Sequence, residues 1–440
     1  MAALSRKIST SRAIVLGFAL LIMFGALLLC LPVSASSGKG ASFADALFTS
    51  VSAVCVTGLT VVDTGTAWSG FGQAVILFLI QTGGMGVITV VVTATVVFNG
   101  KVSLKQLSIM QEAISCDSIG DTVRTAIGVI RNTFIVECAG ALMLMIPLCR
   151  DYGLKGVWYS VFHSVSAFCN AGFDLMGAQG QASLSSYVSS PLVNTVIMTL
   201  IITGGIGFVC WDDIRKNGVR VRRYRLHTKA VIITTAVLII ISFILFFFLE
   251  FSSLPLPERI WASLFQSVTP RTAGFYTTDQ AALSGGGKML TIALMLIGGA
   301  PGSTAGGMKV TTVAVIFACM LSVFRKRNAA QMLGRRISDD TLRSALALFT
   351  MYLSGFLAVG AAISRIEALP LSSCLFEAAS ALGTVGLSTG ITPSLSGVSR
   401  ILLMMLMFAG RAGGLTLMFS ALSGSATNVS KLPLENINVG

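Results

Sequence analysis

The sequence predicts an all-α polytopic membrane protein in which one unit is repeated four times. Three observations carry this. Of 440 residues, 54% are hydrophobic and 11% charged, whereas soluble domains carry about a quarter charged residues. Eight apolar runs, near 13–33, 71–98, 125–148, 191–210, 230–249, 289–322, 344–363 and 401–422, are long enough to cross about 30 Å of hydrocarbon. Four shorter apolar pieces lie between them, too short to span and similar to one another.

Charge sets the orientation. Lys and Arg number 31 against 18 Asp and Glu. The basic residues cluster in short loops after the second, fourth and sixth runs: Lys101, Lys105 and Arg124; Arg215 to Lys229; Arg325 to Arg343. That is the positive-inside pattern, not the basic face of a soluble nucleic-acid binder. Both termini and these loops are expected in the cytoplasm, with the other four connections outside. Arg6, Lys7 and Arg12 precede the first run, and no small-residue cleavage site follows, so it reads as an uncleaved span rather than a signal peptide. Nine scattered cysteines without a CxxC, and the distant His163 and His227, support neither a metal site nor a disulfide framework.

The short outward pieces read "ALFTSVSAVCVTGL", "SVFHSVSAFCNAGF", "SLFQSVTPRTAGF" and "CLFEAASALGTVGL". Phe48, Phe162, Phe265 and Phe376 precede Gly58, Gly172, Gly274 and Gly386 by nine or ten residues, and the glycines recur about every 110 residues. The expected units are 1–100 (span, pore helix, loop, span), 101–215, 216–327 with a broken sixth span, and 328–425, followed by a cytoplasmic tail at 426–440. Further along each unit stand Gly83-Gly84, Gly204-Gly205, Gly298-Gly299 and Gly410-Arg411. Small residues on spans also serve close helix packing, and both readings stay open for any one pair.

Four like units can surround one axis with pseudo-fourfold symmetry. Val56-Thr57-Gly58, Asn170-Ala171-Gly172, Thr272-Ala273-Gly274 and Thr384-Val385-Gly386 would then face one another. Backbone carbonyls without partners are tolerated at membrane depth only against protein or an aqueous path, and a ring of them suits a dehydrated monovalent cation such as K+. Glycine permits the positive φ that turns successive carbonyls inward. The predicted architecture is therefore four span–pore-helix–span repeats around one ion pore. Turn glycines in an unrelated transporter with re-entrant hairpins are the alternative reading.

Two more features lie beneath the loops. "IGGAPGSTAGGMK", residues 297–309, cannot continue a regular helix. It reads as an intramembrane break over Gly298, Gly299, Pro301, Gly302, Ser303, Thr304, Ala305, Gly306 and Gly307, either a packed kink or a plug whose Ser303 and Thr304 hydroxyls face water. Arg411 in the last span would cost about 2.5–3.5 kcal/mol without a polar setting; snorkelling or pairing with Glu137 are the bland readings. Lys309 is expected to snorkel toward the cytoplasm. Arg271, inside the third short piece, is expected in an outward-facing ion pair.

The fourfold pattern, with "QTGGMG" and the terminal "LPLENINVG", resembles the Trk/Ktr/HKT superfamily of potassium transporters over essentially the whole chain, and within it the Ktr membrane subunits. The resemblance implies that Gly58, Gly172, Gly274 and Gly386 are the filter glycines. It implies that 298–307 obstructs the pore below the filter and that Arg411 projects there as a barrier contacting that loop. It also implies a homodimer in the bacterial plasma membrane, seated on a cytosolic KtrA-type ring that binds ATP or ADP, with Na+ as an activator. No organic cofactor and no catalytic constellation are expected, and no nucleotide-binding loop occurs in the chain. A Trk-type transporter with a NAD-binding regulator is the near alternative.

Overall fold

The computed structural model describes residues 10–87, 89–90, 93, 122–180 and 182–413. The expectations for Lys101 and Lys105, the junction of the first two units, the end of the last span and the 426–440 tail lie outside these residues.

Each unit contributes an outer helix, a short re-entrant helix and an inner helix. In the first these are α1 (Thr10–Leu29), α2 (Phe43–Val54) and α3 (Gly70–Met85). The second has α4 (Thr122–Tyr152), α5 (Lys155–Phe168) and α6 (Pro191–Gly205), followed by α7 (Phe208–Asn217). The third has α8 (Leu226–Leu245), α9 (Leu256–Val268) and α10 (Gly285–Leu296), followed by α11 (Val310–Phe324). The fourth has α12 (Asp339–Glu367), α13 (Leu371–Gly383) and α14 (Gly397–Ala412). A small hairpin of β1 (Gln331–Met332) and β2 (Arg335–Arg336) joins the last two units.

Helix starts repeat as faithfully as the glycines. Every inner helix opens on a serine whose hydroxyl accepts a first-turn amide: Ser69 from Gly72, Ser190 from Val193, Ser284 from Gly287 and Ser396 from Ser399. Such caps satisfy amides that the first turn otherwise leaves open.

Helix ends depart from the expected continuous spans. Only the sixth was expected to be broken, yet all four inner helices stop at their glycine pairs. α3 ends at Gly86 (φ 87°) and α14 at Gly413 (φ 83°), while Gly207 (φ 94°) separates α6 from α7 with a 97° bend. Among the described residues, α1, α4, α8 with its π turn (Phe246–Glu250), and α12 are each long and apolar enough to cross a membrane, and the bent α6–α7 pair makes a fifth. For three of them the physical reason is the glycine that follows the pair or its equivalent, Gly86, Gly207 and Gly413, which holds a backbone conformation outside the helix.

The units close into a ring. Each inner helix packs on the re-entrant helix of the following unit: α3 on α5, α6 on α9, α10 on α13 and α14 on α2. Phe48, Phe162, Phe265 and Phe376 are fully buried at equivalent places in the core. An ion pair between Arg400 and Asp45, at 3.1 Å, ties the fourth unit to the first.

Candidate functional site

The four loops after the re-entrant helices meet at one place. A Cβ added to Gly58 would strike the Ala171 carbonyl, one on Gly172 the Ala273 carbonyl, one on Gly274 the Val385 carbonyl, and one on Gly386 the Thr57 carbonyl. The contacts run once around and close. All four glycines take positive φ, at 87°, 68°, 78° and 94°. Two residues earlier, Val56, Asn170, Thr272 and Thr384 also take positive φ, between 51° and 69°. For β-branched residues this is a strained conformation, and strain of this kind persists where the surroundings enforce it.

Hydroxyls of the re-entrant helices provide that enforcement. Ser52 and Ser380 accept the amides of Gly58 and Gly386, each at 3.0 Å. Ser166 donates to the Phe173 carbonyl at 2.7 Å, and Thr269 donates to that of Phe275. The loop amides are thus turned back toward the helices. Among the described residues, the carbonyls of 56–58, 170–172, 272–274 and 384–386 accept no hydrogen bond from the protein. The Asn170 amide lies 3.1 Å from Thr272 Oγ1, linking the second and third loops; flipped, it also donates to the Ala167 and Ile201 carbonyls.

The glycine pairs explain how the re-entrant helices come so close. Cβ atoms on Gly83, Gly204 and Gly410 would strike the carbonyls of Val54, Phe168 and Leu382, the last turns of three of these helices. Close backbone approach and the loop geometry are one construction, so the packing and functional readings of these glycines coincide.

Residues 297–309 form an irregular segment rather than a kinked helix. Ile297 and Met308 pair as a parallel bridge, and Gly298 N donates to Met308 O at 2.7 Å. The segment reaches the second unit through Ala300 N to Gly205 O (2.9 Å) and Phe208 N to Gly302 O (2.8 Å). It reaches the fourth through Gly307 N to Gly410 O (3.2 Å), and Gly306 lies directly against Thr384 of the fourth loop. Ser303 donates to Ala300 O at 2.6 Å. Thr304 differs from expectation: its hydroxyl is fully buried and donates to Phe168 O at 3.0 Å, because that C-terminal carbonyl has no helical partner.

Arg411 spans the space between this segment and the first unit. One Nη donates to the Thr304 carbonyl, and the other to Gly83 O (2.5 Å) and Gly84 O (2.8 Å). Its partners are carbonyls, not Glu137, which is buried and accepts from Gln81 at 3.1 Å. Lys309 does not snorkel outward: its ammonium folds back onto Ala305 O at 2.7 Å. Among the described residues, Arg271 makes no ion pair. It is 6% exposed and donates to Thr235 Oγ1 on α8 at 3.0 Å.

A fold of four units around converging carbonyl loops defines a cation-conducting membrane protein. The model of the TrkH family, described as cation transport protein, matches residues 18–430; the chain belongs to this family and is a transporter rather than an enzyme. It is 39% identical to the Ktr system potassium uptake protein B of Bacillus subtilis, covering 96% of this chain and 95% of that one. It is 38% identical to the potassium/sodium uptake protein NtpJ of Enterococcus hirae, over 99% and 98% respectively. Its fold resembles the crystal structure of the potassium transporter TrkH from Vibrio parahaemolyticus, with a TM-score of 0.74 at 20% identity over 94% of this chain and 85% of that one.

Proposed function

We propose that the chain carries K+ into a bacterial cell through a single-chain pore, with 56–58, 170–172, 272–274 and 384–386 as the selectivity filter. The observation that carries this is the closed ring in which each filter glycine abuts the next loop's central carbonyl. Carbonyl oxygens at such a ring replace the hydration shell of K+ and, being neutral, release it again. Passage is driven by the electrochemical gradient, about 2.3 kcal/mol per charge for each 100 mV.

In this reading 298–307, with Ser303, Thr304 and Ala305 at its tip, is an intramembrane gate locked by Arg411. The names of two relatives place them in a Ktr system, and the resemblance carries the rest of the proposal: a homodimer in the plasma membrane, both termini cytoplasmic, regulated by a KtrA-type nucleotide-binding ring, with Na+ as an activating ion. The name of the Enterococcus hirae relative includes sodium, so the transported ion is itself a point to test. The experiment is complementation of a bacterium lacking its K+ uptake systems on low-K+ medium, with and without a Ktr-type regulatory subunit. Growth restored by K+ and enhanced by the regulator supports the reading. Absence of rescue with the protein in the membrane overturns it.

A further inference from the structure

The position just before each filter loop holds Cys55, Cys169, Arg271 and Gly383. Three of the four are uncharged; the third quadrant alone carries a guanidinium. Arg271 is buried and makes one side-chain hydrogen bond, to Thr235, while its Nε has no partner. No acidic side chain pairs with it among the described residues. An arginine kept for packing would use its fork of donors or stand against a carboxylate. This one contributes an uncompensated positive charge behind the filter backbone, one residue from Thr272.

Such a charge has a consequence that depends on valence. A fixed potential at the filter acts on an ion in proportion to the ion's charge, so a divalent cation is repelled twice as strongly as K+. A ring of neutral carbonyls supplies no such sorting by itself, since divalent cations of similar radius are drawn to the same oxygens. Arg411 lies below, against the gate, and does not share this position.

We propose that Arg271 is a specificity-determining residue of the filter: its buried charge lowers the residence of K+ and, by the square of that factor, excludes divalent cations. The proposal rests on the filter assignment above. The expected size follows from one charge about 10 Å from the ion at an effective dielectric near 20, which changes occupancy roughly tenfold for K+ and roughly a hundredfold for a divalent ion.

The test uses the full chain in proteoliposomes, measuring the half-saturating K+ concentration for flux and the Ba2+ concentration that halves flux at K+ well below its half-saturating value. R271Q should lower the first about tenfold and the second about a hundredfold, whereas R271K should leave both unchanged. T235D keeps Arg271 and places a carboxylate against it; it should move both quantities in the direction of R271Q with the same two-to-one ratio of logarithms, which keeps the test decisive if R271Q fails to fold. Equal shifts for K+ and Ba2+, no shift, or a lysine variant behaving like glutamine overturns the role of Arg271. Failure of Ba2+ to compete with K+ in R271Q as well as in the unaltered protein instead overturns the filter assignment.

Discussion

Arg411 in the last described helix and Thr304 in the broken sixth span are joined directly, guanidinium to carbonyl. The same side chain holds Gly83 and Gly84 of the first unit, so one residue ties the irregular 297–309 segment to the first unit, the lock of the proposed gate. Charge-assisted hydrogen bonds contribute about 1.5–3 kcal/mol each. R411Q should therefore raise K+ influx roughly tenfold or more. Tracer influx unchanged or lower than in the parent would remove Arg411 from the gate.

Removing the proposed gate itself should act the same way. Deletion of residues 302–306 takes out the stretch that abuts Thr384 and Thr304's partners and should give fast K+ flux insensitive to the regulatory subunit. Flux that stays slow and regulated would show that the segment is packing.

The glycines of the four converging loops have no room for a side chain. At Gly386, with φ of 94° and the Thr57 carbonyl where a Cβ would stand, a side chain costs about 1–3 kcal/mol in backbone strain. G386S should lower K+ over Na+ discrimination by about tenfold, with the protein still inserted. Competition of Na+ against K+ uptake measures this, and an unaltered ratio argues against the filter assignment.

The inner-helix glycines predict stability rather than selectivity. G204V would drive a branched side chain into the Phe168 carbonyl and should destabilise the detergent-solubilised protein by about 3 kcal/mol or more. Gly355 has open space around it within α12, and G355A should be neutral or stabilising by up to about 1 kcal/mol. Thermal unfolding of the two variants separates close approach from mere glycine content.

A pH effect is expected at the outer mouth. Asp174, just beyond the second filter loop, has its carboxyl pushed up to about 7 by burial, with Asp63 adding to the shift against opposing hydrogen bonds from Met176 and Ser183. A carboxyl raised in the folded state adds stability that is full below its unfolded value and is lost as pH rises through its folded one. Unfolding temperature should thus fall between about pH 4 and 7, and D174N should flatten that slope. Parallel slopes in parent and variant would exclude Asp174 as the cause.

Much of this was legible because the repeat is written in residue types with few substitutes. Gly58, Gly172, Gly274 and Gly386 stand out in apolar surroundings, and their spacing locates the converging loops. The four fully buried phenylalanines mark the same register. What escaped reading depended on neighbours distant in sequence. Ser69, Ser190, Ser284 and Ser396 cap the inner helices, but serine is too common for a cap to be noticed before the helix starts are known. Gly86, Gly207 and Gly413 end those helices, and a third glycine beside a pair looks like more of the same packing. The partners of Arg271 and Lys309 are side-chain matters: Thr235 lies on another helix, and Lys309 turns to its own loop. No periodicity in the chain encodes either.

The staggered packing of inner on re-entrant helices bears on how the chain is made. The loop of the first unit is completed by α14 and by Gly386, residues synthesised after the first three units. Until they dock, three quarters of the polypeptide is already in the bilayer without a closed ring of oxygens. A chain cut before α14 therefore lacks the element that closes the ring, so the fourth unit is needed to finish the first.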